Sequence, residues 1–210
     1  MRFTKFAIFF LFAVAFVVAQ ANADVENLII ENASFENDYT GWWQGLTAPA
    51  QGTHETDTEE VMDGEKSALI TITAVSGTNW HVGITQNLTN LSAGTQYTAD
   101  FFAKADINRV ISLELKAAPP LPYAWIGGGD INITTEWGEY SSSFTPTVDY
   151  PAGAAAQICF WVGQLEGEVW IDGVRVYEGA KEDREGVIPD ISVQAEGKLI
   201  TTWAVIKSSH

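Results

Sequence analysis

The chain has 210 residues and a formal net charge of −16, with 27 acidic and 11 basic side chains. Such a chain offers little basic surface for sequence-independent binding to nucleic acid or to an anionic membrane, so we expect neither partner. Its single cysteine, Cys159, excludes an internal disulfide scaffold.

Residues 1–23 have the pattern of a secretory signal peptide. Arg2 and Lys5 precede a short apolar run, and a small-x-small cleavage motif ends at Ala23. We therefore expect a mature chain that begins near Asp24 and is secreted, to an extracellular or periplasmic location. No later stretch is long and apolar enough for a membrane span.

From about residue 27 to 178 the sequence alternates short strand-like runs with turn residues. Apolar and polar side chains alternate within each run, as is typical of half-buried strands. Clusters of Gly, Asn, Asp and Pro, such as AAPPLPYAWIGGGD at 117–130, separate the runs. The predicted strands lie at 67–75, 79–88, 95–105, 109–117, 138–146, 154–163 and 168–178. Their number and spacing predict an all-β fold, an antiparallel sandwich or barrel that occupies residues 24–178.

Residues 179–210 are predicted to lie outside the sandwich. The segment 179–190 is charged and rich in turn residues, so it is predicted to be a linker. The final stretch, 192–210, is apolar in its middle but too short to be a domain. It could be an extra strand, a tail that docks to a partner, or a sorting tail, and the sequence leaves these alternatives open.

Five groups of residues occur in a specific order: NLIIENASFEN followed by GWW, then DGEKSALITI, LSAGTQYTADFFAKA, TTEWGEYSSSFT and VWIDGVRVYE. In this order they resemble the CenC-type carbohydrate-binding modules over nearly all of residues 27–178. The resemblance implies a two-sheet jelly roll of the galactose-binding-domain-like kind, with a cleft that holds sugar. Two positions depart from the family pattern: Ala33 replaces a glycine and Gly173 replaces an aspartate.

Asp172 interrupts the last predicted strand with a carboxylate, which is costly in a core unless hydrogen bonds or a cation compensate it. The resemblance implies that it holds a structural Ca²⁺ ion, a metal that binds carboxylate and backbone oxygens. The implied ligands are the side chains of Glu36, Asp63 and Asp172 and the backbone oxygens of Ser34 and Lys66. Glu60 or Glu65 could replace Asp63 after a small shift. Alternatively, Asp172 accepts backbone N–H groups and binds no metal.

A sugar site needs exposed aromatic rings and a few placed polar groups. Trp80 and Trp125 lie among turn residues, and the resemblance places stacking aromatics at both positions; alternatively, each ring plugs an end of the sandwich. Strand alternation directs Gln157 and Trp161 away from the aliphatic side chains of their run. The expected secondary contacts are Trp161, Gln157, Glu114 and His81. Three other tryptophans, in strand or turn contexts, are expected to be structural: Trp42, Trp137 and Trp170.

The sequence carries no motif for nucleophilic, phosphate-binding or zinc-dependent catalysis. In so acidic a chain any two carboxylates could serve as the pair that a glycosidase needs, so no pair is singled out. We therefore expect a secreted, non-catalytic module that binds a polysaccharide or oligosaccharide by aromatic stacking and hydrogen bonding. Two alternatives are a small glycoside hydrolase on the same fold and a structural cell-envelope domain without sugar affinity.

Overall fold

A computed structural model describes residues 26–29, 31–151 and 156–182. The predicted signal peptide and the C-terminal tail lie outside these residues. Within them the chain forms one 3₁₀ turn, Asn79–His81, and ten strands. The strands are β1 Trp43–Leu46, β2 Gln51–Asp57, β3 Ser67–Ala74, β4 Val82–Asn87, β5 Tyr97–Ala105, β6 Arg109–Ala117, β7 Ala124–Ile133, β8 Gly138–Phe144, β9 Ala156–Trp161 and β10 Gly167–Glu178. The described ranges contain no helix with the length and apolarity of a membrane span.

The strands form two antiparallel sheets of five strands each. The front sheet has the order β1-β4-β9-β6-β7 and the back sheet the order β2-β3-β10-β5-β8. Hydrogen-bonded neighbours are mostly non-consecutive in sequence, so the chain crosses repeatedly from one sheet to the other. The prediction of an all-β, two-sheet antiparallel sandwich is confirmed.

The hydrophobic core lies between the sheets. In β6, Ile111, Leu113 and Leu115 are fully buried, whereas the side chains between them are half-buried and face outward. Phe101 of the back sheet and Phe160 of the front sheet meet edge to face, with ring centroids 4.8 Å apart. Burial of apolar surface, at roughly 25 cal/mol per Å², is the main contribution that stabilises this core. Because the apolar face of the front sheet packs against the back sheet, its opposite face is exposed to solvent.

The prediction that residues 117–130 form only turns is wrong, because strand β7 begins at Ala124. Ala124–Ile133 pairs with β6 almost along its whole length, with an irregularity between Leu115 and Lys116. Three consecutive glycines obscure this strand in the sequence. A side chain at Gly128, where φ is +108°, would collide with the backbone of Leu113, so glycine permits the close approach of the two strands.

The start of the sandwich also differs from the sequence prediction. The predicted strand at 79–88 begins with the 3₁₀ turn, and only Val82–Asn87 is extended in the sheet. The strands β1 and β2 were not predicted, because β1 has only four residues and β2, QGTHETD, has no apolar side chains to alternate with its polar ones. Both are edge strands, and β1 brings an exposed tryptophan beside β4.

Candidate functional site

The outer face of the front sheet carries a cleft formed by two adjoining cavities. The larger has a volume of about 720 Å³ and the smaller about 290 Å³. Trp80, Glu114 and Trp161 line both cavities, so the two are continuous. The remaining lining residues are Trp43, Thr47, Thr85, Lys116, Tyr123 and Gln157 in the larger cavity and Asn79, Ser112, Leu113, Trp125, Gly129 and Asp130 in the smaller.

Strand pairing places the cleft residues in rows across the sheet. Ser112 pairs with Trp161 of β9 and with Asp130 of β7. Four residues further along β6, Lys116 pairs with Gln157 and Trp125. Because alternate residues of a strand share one face, Ser112, Glu114 and Lys116 all point into the cleft.

Trp161 forms the floor of the cleft. Its side chain is only 6% exposed, and its Nε1–H donates a hydrogen bond of 2.6 Å to Oε2 of Glu114. The ring rests over Gly83 of the adjacent strand, where an added Cβ would lie 2.6 Å from the indole. Glycine at this position therefore allows the indole to lie flat, and the hydrogen bond fixes both the ring and the carboxylate.

Four exposed aromatic rings surround this floor. Their exposed fractions are 56% for Trp43, 52% for Trp80, 70% for Tyr123 and 67% for Trp125. Trp80 follows Asn79, whose Oδ1 accepts the backbone N–H of Trp80 at 2.8 Å. The expectation that Trp80 and Trp125 are exposed agrees with their positions, although Trp125 belongs to β7 and not to a loop.

A chain of polar groups forms the wall of the smaller cavity. Ser112 donates its hydroxyl to Oδ1 of Asp130 at 2.7 Å and accepts an amide N–H from Asn79 at 3.1 Å. Gln164 donates a third, longer hydrogen bond to the same hydroxyl at 3.3 Å. These bonds fix the side chains in place, so polar groups are presented in a defined arrangement beside the rings of Trp80 and Trp125.

The other predicted contacts divide into those that line the cleft and one that does not. Gln157 lines the larger cavity and donates from Nε2 to Oδ1 of Asn87 at 2.9 Å. His81 is half-buried, with its ring perpendicular to that of Trp80 at 4.3 Å between centroids, and lines neither cavity. It therefore contacts Trp80 without lining the cleft itself.

Sequence reasoning missed Trp43, Tyr123 and Lys116 as cleft residues. Trp43 directly follows buried Trp42, and the opposite directions of adjacent strand residues could have identified it as an outward ring. Tyr123 gave no such signal, because the prolines that precede it indicate only an irregular segment.

Cys159 lies on the side of β9 that faces the cleft, but its side chain is fully buried. Burial raises the pKa of its thiol to about 11.

The segments predicted to bind calcium converge at one rim of the sandwich. Asp172 is fully buried; its Oδ2 accepts the backbone N–H groups of Met62 and Asp63, each at 2.8 Å, and its Oδ1 accepts that of Gly173. Burial is the main cause that raises the pKa of Asp172 to about 7, and the nearby Asp63 charge adds to this.

The remaining predicted ligands bond to the segment 62–66, two of whose backbone N–H groups bind this carboxylate. Oε1 of Glu36 accepts the backbone N–H groups of Glu65 and Lys66 at 2.9 and 3.1 Å, and Ser34 donates its hydroxyl to Asp63 at 2.7 Å. Within the described residues, no group of three or more acidic, His or Cys side chains is placed as a ready metal cluster. The acids therefore fit a cation only in part, since backbone N–H groups already engage two of them.

The comparisons with known proteins agree with this architecture. The family model for a carbohydrate binding domain, CBM_4_9, matches residues 27–166. A solved structure described as "CBM4 structure and function" is 25% identical, with 71% of this chain and 99% of that chain covered and a TM-score of 0.56.

Two further structures share the fold. The N-terminal cellulose-binding domain of Cellulomonas fimi β-1,4-glucanase C is 21% identical, with 68% of this chain and 91% of that chain covered and a TM-score of 0.52. The second N-terminal cellulose-binding domain of the same enzyme is 18% identical, with coverages of 76% and 99% and a TM-score of 0.56. The comparison with curated proteins finds no match. Since the family model covers most of the sandwich, the chain belongs to the CBM_4_9 carbohydrate binding domain family.

Proposed function

We propose that this domain binds a polysaccharide or oligosaccharide chain in the cleft of the front sheet and does not cleave it. The observation that carries this proposal is the ring of exposed Trp43, Trp80, Tyr123 and Trp125 around the floor of Trp161 and the polar wall beside it. Large exposed aromatic groups cluster at binding sites because contact with water is unfavourable for them. A sugar presents a weakly apolar face that can stack on such rings and hydroxyls that can bond to the polar wall.

The shape of the cleft favours binding along a chain. The two cavities share three lining residues and extend across all five strands, from Trp43 on β1 to Trp125 on β7. Trp80 and Glu114 line both cavities, so a sugar stacked on Trp80 would contact both parts of the cleft. Several neighbouring sugar units can therefore contact the protein at once, which favours an oligosaccharide over a single sugar.

Isothermal titration calorimetry against a panel of soluble polysaccharides tests the proposal. We expect heat with one class of glycan, lost in Trp80→Ala and Trp125→Ala and retained in Ile107→Ala, which removes an exposed apolar side chain outside the cleft. Chromatography of the incubated glycan provides the test of catalysis. Release of sugar by the wild type but not by Glu114→Gln would favour a hydrolase. A folded protein that gives no heat with any glycan would favour a structural domain.

We also propose that a Ca²⁺ ion binds beside Glu36, Asp63 and Asp172. The support is a fully buried carboxylate next to a second acid, a combination that a divalent cation would stabilise in its charged form. The ion would join the first and last segments of the sandwich and would have no part in the sugar site. Thermal unfolding in Ca²⁺ and in a chelator tests this: we expect a higher melting temperature with Ca²⁺, and Mg²⁺ serves as the control.

The proposed setting is outside the cell. Its support is the signal-like pattern of residues 1–23 together with a domain family whose name denotes carbohydrate binding. Amino-terminal sequencing of exported protein should give a chain that starts near Asp24. A start at Met1 would contradict the proposed cleavage.

A further inference from the structure

Lys116 places a positive charge inside the cleft. Its Nζ lies 4.7 Å from the ring centroid of Trp161 on the floor and 5.4 Å from that of Tyr123 on the rim. Both distances are in the range of cation–π contacts. The ammonium group therefore lies between the floor and the rim of the larger cavity, which Lys116 lines.

Among the described residues, Lys116 is the one lysine or arginine that forms no ion pair. The other cationic side chains pair with carboxylates at 2.7 to 3.4 Å: Lys66, Lys104, Arg109, Arg175 and Lys181. The facing acid in the cleft is Glu114, two residues earlier on β6, and its Oε2 accepts the indole N–H of Trp161. Contact with a carboxylate thus compensates every other described cation but leaves the charge of Lys116 for a ligand.

We propose that Lys116 binds an anionic substituent of the glycan, either the carboxylate of a uronic acid or a sulfate ester. This inference rests on the proposed function and deepens it by naming the class of ligand. Lys116 pairs with Trp125 across β6 and β7 and with Gln157 across β6 and β9. Lys116 therefore lies between Trp125 and Gln157 across the sheet, and a sugar stacked on Trp125 can direct its anionic substituent toward the ammonium group of Lys116.

The charge of the whole chain restricts this ligand further. A net charge of −16 repels a polymer that carries an anion on every sugar unit. A glycan with isolated anionic substituents on a neutral backbone meets little of this repulsion. Its neutral units stack on the aromatic rings, and its occasional anion pairs with Lys116.

Calorimetry with matched ligand pairs tests the inference. One pair is an oligosaccharide with a single uronic acid and the same molecule after reduction of its carboxyl group to an alcohol. The other is a singly sulfated oligosaccharide and its desulfated form. We expect the anionic member of one pair to bind roughly fivefold more tightly than its neutral partner, as for a half-exposed ion pair, with the ratio shrinking as salt rises.

Variants separate the contribution of the charge from that of the fold. Lys116→Gln should bring the ratio of the two affinities to one, whereas Lys116→Arg should retain the preference. Lys181→Gln removes a lysine that pairs with Glu139 outside the cleft and should keep the wild-type ratio. The melting temperature of each variant verifies folding.

Two outcomes would overturn the inference while leaving the proposed function intact. In one, the neutral members bind and the anionic members bind no better in either pair. In the other, the preference persists in Lys116→Gln. If no member of either pair binds to the folded protein but a neutral glycan of the panel does, this inference alone fails; if no glycan of the panel binds either, the proposed function fails, and this inference fails with it.

Discussion

Trp42 and Trp43 are adjacent in the chain but have opposite surroundings, so alanine substitutions at the two positions separate folding from ligand binding. The ring of Trp42 stacks on Phe35 with centroids 5.0 Å apart, and its Nε1–H donates to the carbonyl oxygen of Asn32 at 3.0 Å. Trp43 projects from β1 over Gly45 into the cleft and keeps more than half of its surface exposed. The first ring stabilises the core, and the second is available to a ligand.

The structure gives different magnitudes for the two changes. Trp42→Ala removes a buried aromatic side chain, which lowers the free energy of unfolding by about 3 to 5 kcal/mol. Trp43→Ala removes a half-exposed one and should lower it by roughly 1 to 2 kcal/mol. If a sugar covers about 70 Å² of Trp43, the loss of that contact costs about 1.8 kcal/mol of binding free energy, or about twentyfold in Kd.

Urea denaturation and calorimetric titration, both well below the melting temperature, measure the two quantities separately. Trp42→Phe serves as a milder variant if Trp42→Ala does not fold. We expect folded Trp42 variants to bind with nearly wild-type Kd and Trp43→Ala to bind much more weakly. Wild-type affinity in Trp43→Ala, or an equal loss of affinity in the folded Trp42 variants, would show that Trp43 does not contact the ligand as the cleft geometry requires.

Three other predictions follow from the same contacts. Trp161→Phe removes the N–H that holds Glu114 and should weaken glycan binding severalfold with a stability loss of about 1 to 2 kcal/mol, measured by titration and denaturation; unchanged affinity would contradict the role of the floor. Burial lowers the pKa of His54, whose Nε2–H donates to the carbonyl oxygen of Gly83 at 3.1 Å. Since unfolded His54 takes up a proton first, its contribution to stability should fall as pH drops below about 6.5, whereas Asp172 with its raised pKa contributes in the opposite direction. The stability of wild type relative to His54→Gln should therefore fall below this pH, and a difference that does not change with pH would contradict the lowered pKa. Gly128→Ala forces a side chain into the backbone of a paired strand at a positive φ, so its melting temperature should drop by several degrees, whereas a melt like wild type would show that β7 can move away from β6.

The sequence predicted those parts of the fold where one face of a strand is apolar and the other polar. β6 is the clearest case, because Ile111, Leu113 and Leu115 alternate with polar residues and both faces behave as expected. The same rule failed for β7, where glycines remove the apolar signal. Cross-strand pairing with β6 forms that strand, and such pairing is not visible in the sequence of β7 alone.

The candidate site was predictable to the extent that it depends on single residues in distinctive surroundings. Trp80 and Trp125 lie among small and turn residues, and both are exposed. The role of Trp161 as a nearly buried floor depends on Gly83 of a neighbouring strand and on Glu114 of another. The position of Lys116 between two rings depends likewise on the pairing of three strands. These positions depend on contacts between strands, so the alternation of residues along a single strand could not predict them.

An NMR titration of the tryptophan indole N–H signals with the best-binding glycan of the panel tests whether a sugar occupies the cleft of the front sheet. We expect the signals of Trp43, Trp80 and Trp125 to shift on addition of glycan. The signals of Trp42 and Trp170 should stay in place, because their N–H groups are bonded to Asn32 and Asp57 away from the cleft. Shifts at Trp42 and Trp170 with unmoved signals from the cleft rings, or no shift with any glycan, would contradict a sugar site on the front sheet.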